Sequence, residues 1–233
     1  NTRFTAGRLG ELGYPPARIV YVPNGVDRGR FAPYQDLPRA KARARVGLAG
    51  EELVLYLGSL DLTSHDVDLL LHAFARVRET RPAARLWLVG PGADQDALYA
   101  LTTNLGLTDG VRFVGRMTAE QAPLYLRAAH VSVDPVRDTL VARARSPLKV
   151  FESLAVGTPV VTGDVGDRRA ILDDGRAGQI VSPGDPDALA RGIVDVLADP
   201  DRAAALTRAA ETVRERYYWD VLVRDWEHVY SHC

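Results

Sequence analysis

One periodicity constrains this chain more than any other feature. Short runs of β-branched and aliphatic residues alternate with longer stretches whose apolar residues recur every three or four positions, almost to the carboxyl terminus. Such alternation specifies a parallel sheet with helices on both faces, because parallel neighbours need a crossover and the crossover covers the sheet. Seven runs read as strands: 19–22, 53–57, 85–89, 111–114, 131–134, 159–162 and 179–181. Between them Val67, Leu70, Leu71, Phe74 and Val77 mark a helical core face, as do Leu98, Leu101 and Leu105, then Leu124, Leu126 and Ala129. After Val181, helices follow from Asp185-Pro186, over about 201–217 and over about 220–230. The expected fold class is α/β, a Rossmann-like parallel sheet flanked by helices, with no repeat and no linker to divide it.

Composition narrows the partners. Lysine and arginine number 29 against 30 acidic residues, so no global field draws the molecule onto nucleic acid or an anionic membrane, and any anion site must be local. No apolar run approaches the roughly 18 residues of a membrane span. The single cysteine, Cys233, excludes an internal disulfide framework and argues against a cysteine metal site, which fits a reducing cytoplasm. His65, His72 and His130 lack metal-ligand spacing, so neither a metal nor any other cofactor is expected. The start, Asn1-Thr2-Arg3-Phe4, has neither an initiator Met nor a signal-peptide core, so the chain reads as a piece of a longer protein.

Several strands end in glycine just before a helix: Leu57-Gly58, Val89-Gly90-Pro91-Gly92, Val114-Gly115 and Thr162-Gly163. Ligands of open parallel sheets bind outside the carboxyl ends of the strands, where glycine lets backbone approach a phosphate. Any one of these glycines could simply make a tight turn; four on one inferred edge point to a nucleotide or another phosphate-bearing ligand.

The stretch 145–164 carries the chemistry. Ser146 reads as an N-cap and Pro147 as the first helical residue, and Gly157 suits a left-handed cap at the other end. Leu148, Phe151 and Leu154 are placed to face inward. Lys149 lies in the first turn, where free N–H groups disfavour a cation; a bound anion would resolve the conflict, and so would an ammonium reaching out into solvent. Glu152 follows one turn later on the same face, able either to accept both hydroxyls of a ribose or to pair with Lys149.

With these residues in view, the chain resembles the family 4 glycosyltransferases, retaining enzymes of GT-B fold, over essentially its whole length. The matching segments are Val22-Pro23-Asn24-Gly25-Val26-Asp27 with Phe31, Leu57-Gly58 with Val67-Asp68-Leu69-Leu70, Leu88 to Gly92, and Val111 to Gly115. Glu152-Ser153-Leu154-Ala155 with Gly157-Thr158-Pro159-Val160-Val161 is the strongest, and Tyr218-Trp219 and Tyr230 are similar to the family's closing helix. Order and spacing together carry the likeness.

The resemblance implies the carboxyl-terminal half of a GT-B fold. Residues 15–217 would be the donor domain, 1–14 the tail of an amino-terminal acceptor domain or its connection, and 218–233 a helix reaching back to that absent domain. It implies a nucleotide-diphosphate sugar as ligand, held without metal, and an acceptor (glycan, lipid or small molecule) held by the other domain. It leaves room for peripheral membrane association of the longer protein. Alone, the chain should bind and not transfer, and Leu222, Trp226 and Val229 should stand uncovered.

By resemblance the second Glu of an E-x7-E pair holds the ribose, and Glu152 matches it. The first would fall at Ala144, and Arg145-Ser146-Pro147 replaces the usual Gly-Phe-Gly, a Ser-Pro-x-Lys variant that some relatives carry. After Gly58, Ser59 and His65 stand where many relatives have an Arg and a Lys on the diphosphate. Lys149, with Arg143 or Arg145, is expected to replace that charge, since charge-assisted contacts are about twice as strong as neutral ones. The expected donor contacts thus run from Gly58, Ser59 and His65 through Gly90 and Gly115 to Arg145, Ser146, Leu148, Lys149 and Glu152. The segments 134–139 and 164–169 would line or flank the cleft. The alternative is a non-catalytic nucleotide-binding or interaction module derived from such an enzyme; a sugar-nucleotide epimerase lacks an acid/base pair, and a dinucleotide oxidoreductase lacks its G-x-G-x-x-G.

Overall fold

A computed structural model describes residues 1–48 and 50–231; Cys233 therefore lies outside the described residues. The amino-terminal part is helical: α1 (Arg3–Glu11), α2 (Arg28–Gln35) and α3 (Arg39–Arg45). Strand and helix then alternate as β1 (Glu52–Leu57), α4 (Val67–Thr80), β2 (Ala84–Val89), α5 (Gln95–Asn104), β3 (Val111–Gly115), α6 (Ala122–Ala128) and β4 (Val131–Asp134). There follow α7 (Leu140–Ala144), α8 (Leu148–Ala155), β5 (Val160–Gly163), α9 (Arg168–Ile171) and β6 (Gln179–Val181), then α10 (Pro186–Ala198), α11 (Pro200–Val213) and α12 (Trp219–Ser231).

Six parallel strands lie in the order β3-β2-β1-β4-β5-β6. Successive residues of β1 divide between the faces, as the two-residue period demands. Val54 and Tyr56 join the core under α4 and α10, whereas Leu53 and Leu55 join Phe31, Phe151 and Leu154 under α2 and α8. Both faces are thereby buried, which is why the central strands read as continuous apolar runs.

The expected strand at 19–22 does not form. That segment runs extended beside no sheet partner, hemmed by Pro15 and Pro16 before it and by Pro23, which has no N–H to give a ladder. Its continuation is instead tied to the end of the chain: Val26 N–H donates to the Tyr217 carbonyl at 2.9 Å, and Trp219 N–H to that of Val26 at 3.1 Å. The helix expected over 201–217 stops at Val213 and tightens into a 3-10 turn. Leu222, expected to be uncovered, is 5% exposed because it fills the space that a side chain at Gly25 would need.

Candidate functional site

Strand order reverses between β1 and β4, and a crevice opens at their carboxyl ends, as it does in doubly wound sheets generally. A cavity of about 720 Å3 lies there, walled by the ends of β1, β2 and β4, the loop after β3, and the first turn of α8. Its size suits a nucleotide-scale ligand. Two glycines shape its floor. A Cβ on Gly90 would sit 2.0 Å from the Gly58 carbonyl oxygen, and one on Gly58 would crowd Lys149 Cε at 3.2 Å. Gly90 also has φ +138°, which side-chain-bearing residues avoid.

The first turn of α8 differs by one residue from the sequence expectation. Pro147 occupies the cap position and Leu148 begins the helix. Ser146 caps nothing: its Oγ accepts from Asn24 N–H at 3.3 Å, and the Asn24 amide donates back to the Ser146 carbonyl at 3.3 Å. The Val-Pro-Asn-Gly segment thus pins the start of α8 in place of a helix cap. Leu148 is 45% exposed and lines the cavity, so of the three expected inward residues only Phe151 and Leu154 are buried. Gly157, with φ +68°, ends the helix as anticipated.

Lys149 reaches neither solvent nor Glu152. Its Nζ lies 3.3 Å from Asp134 Oδ1 and 5.0 Å from the centre of the Tyr56 ring. The intramolecular carboxylate resolves the helix-start conflict that the sequence left to a bound anion or to solvent. Asp134 ends β4 and is 2% exposed. Its Oδ2 accepts from Arg168 Nε at 2.7 Å and from the Thr162 hydroxyl at 2.9 Å. Burial raises its pKa, yet Arg168 and Lys149 together hold the carboxyl below the ordinary carboxylate range. One carboxylate therefore answers two cations.

Glu152 side chain is 13% exposed and lines the same cavity. Arg30 Nη2 approaches its Oε1 at 3.9 Å, and no described residue donates it a hydrogen bond within normal distance. Burial pushes its pKa up to about 7, with Arg30 and then Lys149 pulling the other way. His65, beside Ser64 Oγ at 2.9 Å, is driven down to about 4 by burial and by the charges of Lys149 and Arg145, so it is neutral at physiological pH. Arg145 lines the cavity and donates to the Ser64 carbonyl, with no carboxylate in ion-pair range among the described residues.

The structure thus gathers Gly58, His65, Gly90, Arg145, Ser146, Leu148, Lys149 and Glu152 around one cavity. Ser59 and Gly115 stand behind its wall: the Ser59 carbonyl accepts the Tyr56 hydroxyl at 2.7 Å, and that of Gly115 accepts Gly90 N–H at 3.0 Å. Arg143 does not contribute charge to the cavity, because its guanidinium turns outward to Asp138 at 2.6 Å. Asp134, Val136, Thr139 and Arg168 from the flanking segments do line it. Sequence reasoning missed Tyr56, Arg30 and the loop from Met117 to Ala119, and although it placed 134–139 at the cleft it did not foresee that Arg137 there binds Asp66 and Asp68 at 2.7 Å each. Asp134 offered a signal, since an acidic residue closing a buried strand is costly unless paired. Among the described residues no group of three or more His, Cys, Asp or Glu is placed to hold a metal ion, and no helix is long and apolar enough to cross a membrane.

Comparison with known proteins bears on this arrangement. Residues 51–199 match the family model described as Glycosyl transferases group 1. A GDP-mannose-dependent alpha-(1-6)-phosphatidylinositol monomannoside mannosyltransferase of Mycolicibacterium smegmatis is 33% identical over 207 residues, covering 88% of this chain and 54% of that protein. A D-inositol 3-phosphate glycosyltransferase of Streptomyces scabiei is 34% identical over 241 residues, covering 97% and 52%. Among solved structures, a sucrose-phosphate synthase from Thermosynechococcus elongatus aligns with a TM-score of 0.76 at 30% identity, covering 91% of this chain and 51% of the other. The chain spans about half the length of the curated relatives it matches. Its parallel sheet between helical layers is the Rossmann-like architecture of the GT-B glycosyltransferases among these neighbours. With the family model matched across the sheet and both walls of the crevice, the chain belongs to the group 1 glycosyl transferases.

Proposed function

We propose that this chain is the donor-binding domain of a retaining, metal-independent hexosyltransferase, and that the crevice holds a nucleotide-diphosphate sugar. The observation that carries the reading is Glu152: a largely buried carboxylate that faces the cavity and, among the described residues, has no hydrogen-bond donor of its own. Buried acceptors are satisfied in native proteins, and the two hydroxyls of a ribose supply the missing donors. The diphosphate then lies toward the first turn of α8, near Lys149 and Arg145, where free N–H groups and two cations favour an anion. As the glycosidic bond to the donor breaks, charge grows on the departing diphosphate, and the same groups stabilise it.

The GDP-mannose dependence of the Mycolicibacterium smegmatis relative supports a nucleotide donor, and that protein's phosphatidylinositol monomannoside supports peripheral membrane contact by a longer parent, which we place in the cytoplasm. In this reading 15–217 is the donor domain, 1–14 the connection to an acceptor domain, and 218–233 the helix that packs back on it. The chain alone binds donor and does not transfer sugar.

Titrating the chain with UDP and GDP tests this. Lys149→Ala and Glu152→Ala should each weaken the preferred nucleotide about tenfold or more, the scale of one charge-assisted contact. Unchanged affinity in both variants would overturn the assignment. Donor binding without turnover by the full-length parent would instead select the non-catalytic module.

A further inference from the structure

The floor of the crevice carries an electrostatic arrangement that donor binding alone does not require. Asp134 is fully buried at the end of β4, between Lys149 from α8 and Arg168 from the first turn of α9. The two cations are not held alike. Arg168 is 2% exposed, lies 2.7 Å from Oδ2 and also donates to the Val165 carbonyl at 3.1 Å, so it is fixed in the core. Lys149 approaches the other oxygen at the longer 3.3 Å, with its stem against Gly58 and its ammonium beside the Tyr56 ring and the cavity. The cluster of one carboxylate and two cations keeps one unit of positive charge, and although all three residues border the cavity, the lysine is the more exposed cation and the one on the longer contact.

We propose that Arg168 is a positioning residue for anion binding. By taking the larger share of Asp134, it leaves Lys149 oriented by that carboxylate without being neutralised by it. The ligand class is a nucleoside diphosphate or its sugar, so the inference rests on the donor-binding reading above. Without Arg168, the lone buried Asp134 closes on Lys149 and cancels the charge that a diphosphate needs. If both Asp134 and Arg168 are made neutral, Lys149 is released and the charge returns.

The phosphate-free nucleoside separates the idea from a merely structural role for Arg168, because neutralising a buried carboxylate left short of partners can also restore a fold, whereas only an electrostatic role spares nucleoside binding while diphosphate binding falls. Binding of UDP and GDP, with uridine and guanosine as phosphate-free controls, would be measured for the wild type, Arg168→Gln and the double variant Asp134→Asn/Arg168→Gln. Arg168→Gln should lose about tenfold in diphosphate affinity with nucleoside affinity unchanged, since only the phosphates sense the cancelled charge. The double variant should return to wild-type diphosphate affinity or exceed it. A double variant as weak as the single one, or equal losses for nucleoside and diphosphate, overturns the proposal. Should Arg168→Gln not fold, the double variant decides by itself: weaker diphosphate binding than wild type rejects the proposal. A wild type that binds nucleosides and diphosphates equally rejects the electrostatic role while leaving the ribose contact standing, and one that binds neither rejects the donor-binding reading itself.

Discussion

Burial removes water from the Glu152 anion, and Arg30 and Lys149 restore only part of that loss, so the folded carboxyl titrates near 7 instead of 4.5. Between those values the native state binds the extra proton and the unfolded chain does not. Stability from this group is therefore complete below about pH 4.5 and falls as pH rises through 7, by on the order of 3 kcal/mol in all. Glu152→Gln removes the ionisation. It should melt with the wild type near pH 4 and clearly above it at pH 8. The same change should weaken UDP or GDP, because the amide accepts less strongly than the carboxylate, and the wild type's advantage over the variant should grow from pH 5 to pH 8, the ionisation of the terminal phosphate being common to both. Thermal melts and titrations across that range check both, and a stability difference independent of pH would refute the account. Such opposed movements in stability and binding mark a residue kept for its ligand.

At the scale of elements, the ends of β1 and β2 meet so closely that the crevice floor exists only because Gly90 has no side chain. Its missing Cβ would lie 2.0 Å from a backbone oxygen, which cannot swing aside as a flexible side chain could. Gly90→Ala should therefore cost about 1–3 kcal/mol or more in chemical denaturation, with the loss extending to nucleotide binding. An alanine variant of wild-type stability would show that the strands part more easily than the geometry says. This floor was legible in the sequence as glycine after an apolar strand, and so were six strands and the length of α8, because periodicity and punctuation are local signals. What escaped was whatever depends on partners far along the chain. Ser146 has the residue type and place of an N-cap, yet Asn24 claims it from 122 residues away. Lys149 looked like a cation either awaiting an anion or reaching into solvent, and Asp134 at the end of β4 had already met it. The segment 19–22 has a strand's composition yet pairs with none of the six strands.

For the whole molecule, the sheet is covered on both faces, and a run of exposed apolar residues lies along α12. Trp219, Val223, Trp226 and Tyr230 are 40%, 43%, 42% and 77% exposed, at spacings of four, three and four residues that place them in one stripe. Trp226 and Tyr230 stack with ring centres 6.4 Å apart, which joins two large rings into a continuous surface. Monomeric proteins rarely leave such a stripe in water, and the hydrophobic gain from covering it is available to a second copy of this chain as readily as to another domain. With a formal net charge of −1, long-range repulsion does little to keep copies apart. The chain by itself should therefore associate reversibly with rising concentration. Trp226→Gln combined with Tyr230→Ser should keep it monomeric while leaving UDP or GDP affinity intact, because the stripe lies on α12 and none of its residues lines the cavity. Sedimentation velocity at several concentrations, paired with a nucleotide titration of the same samples, separates the two properties. A wild type that stays monomeric throughout would mean that the stripe is too weakly apolar to drive association, and lost nucleotide binding in the double variant would mean that α12 is coupled to the crevice after all.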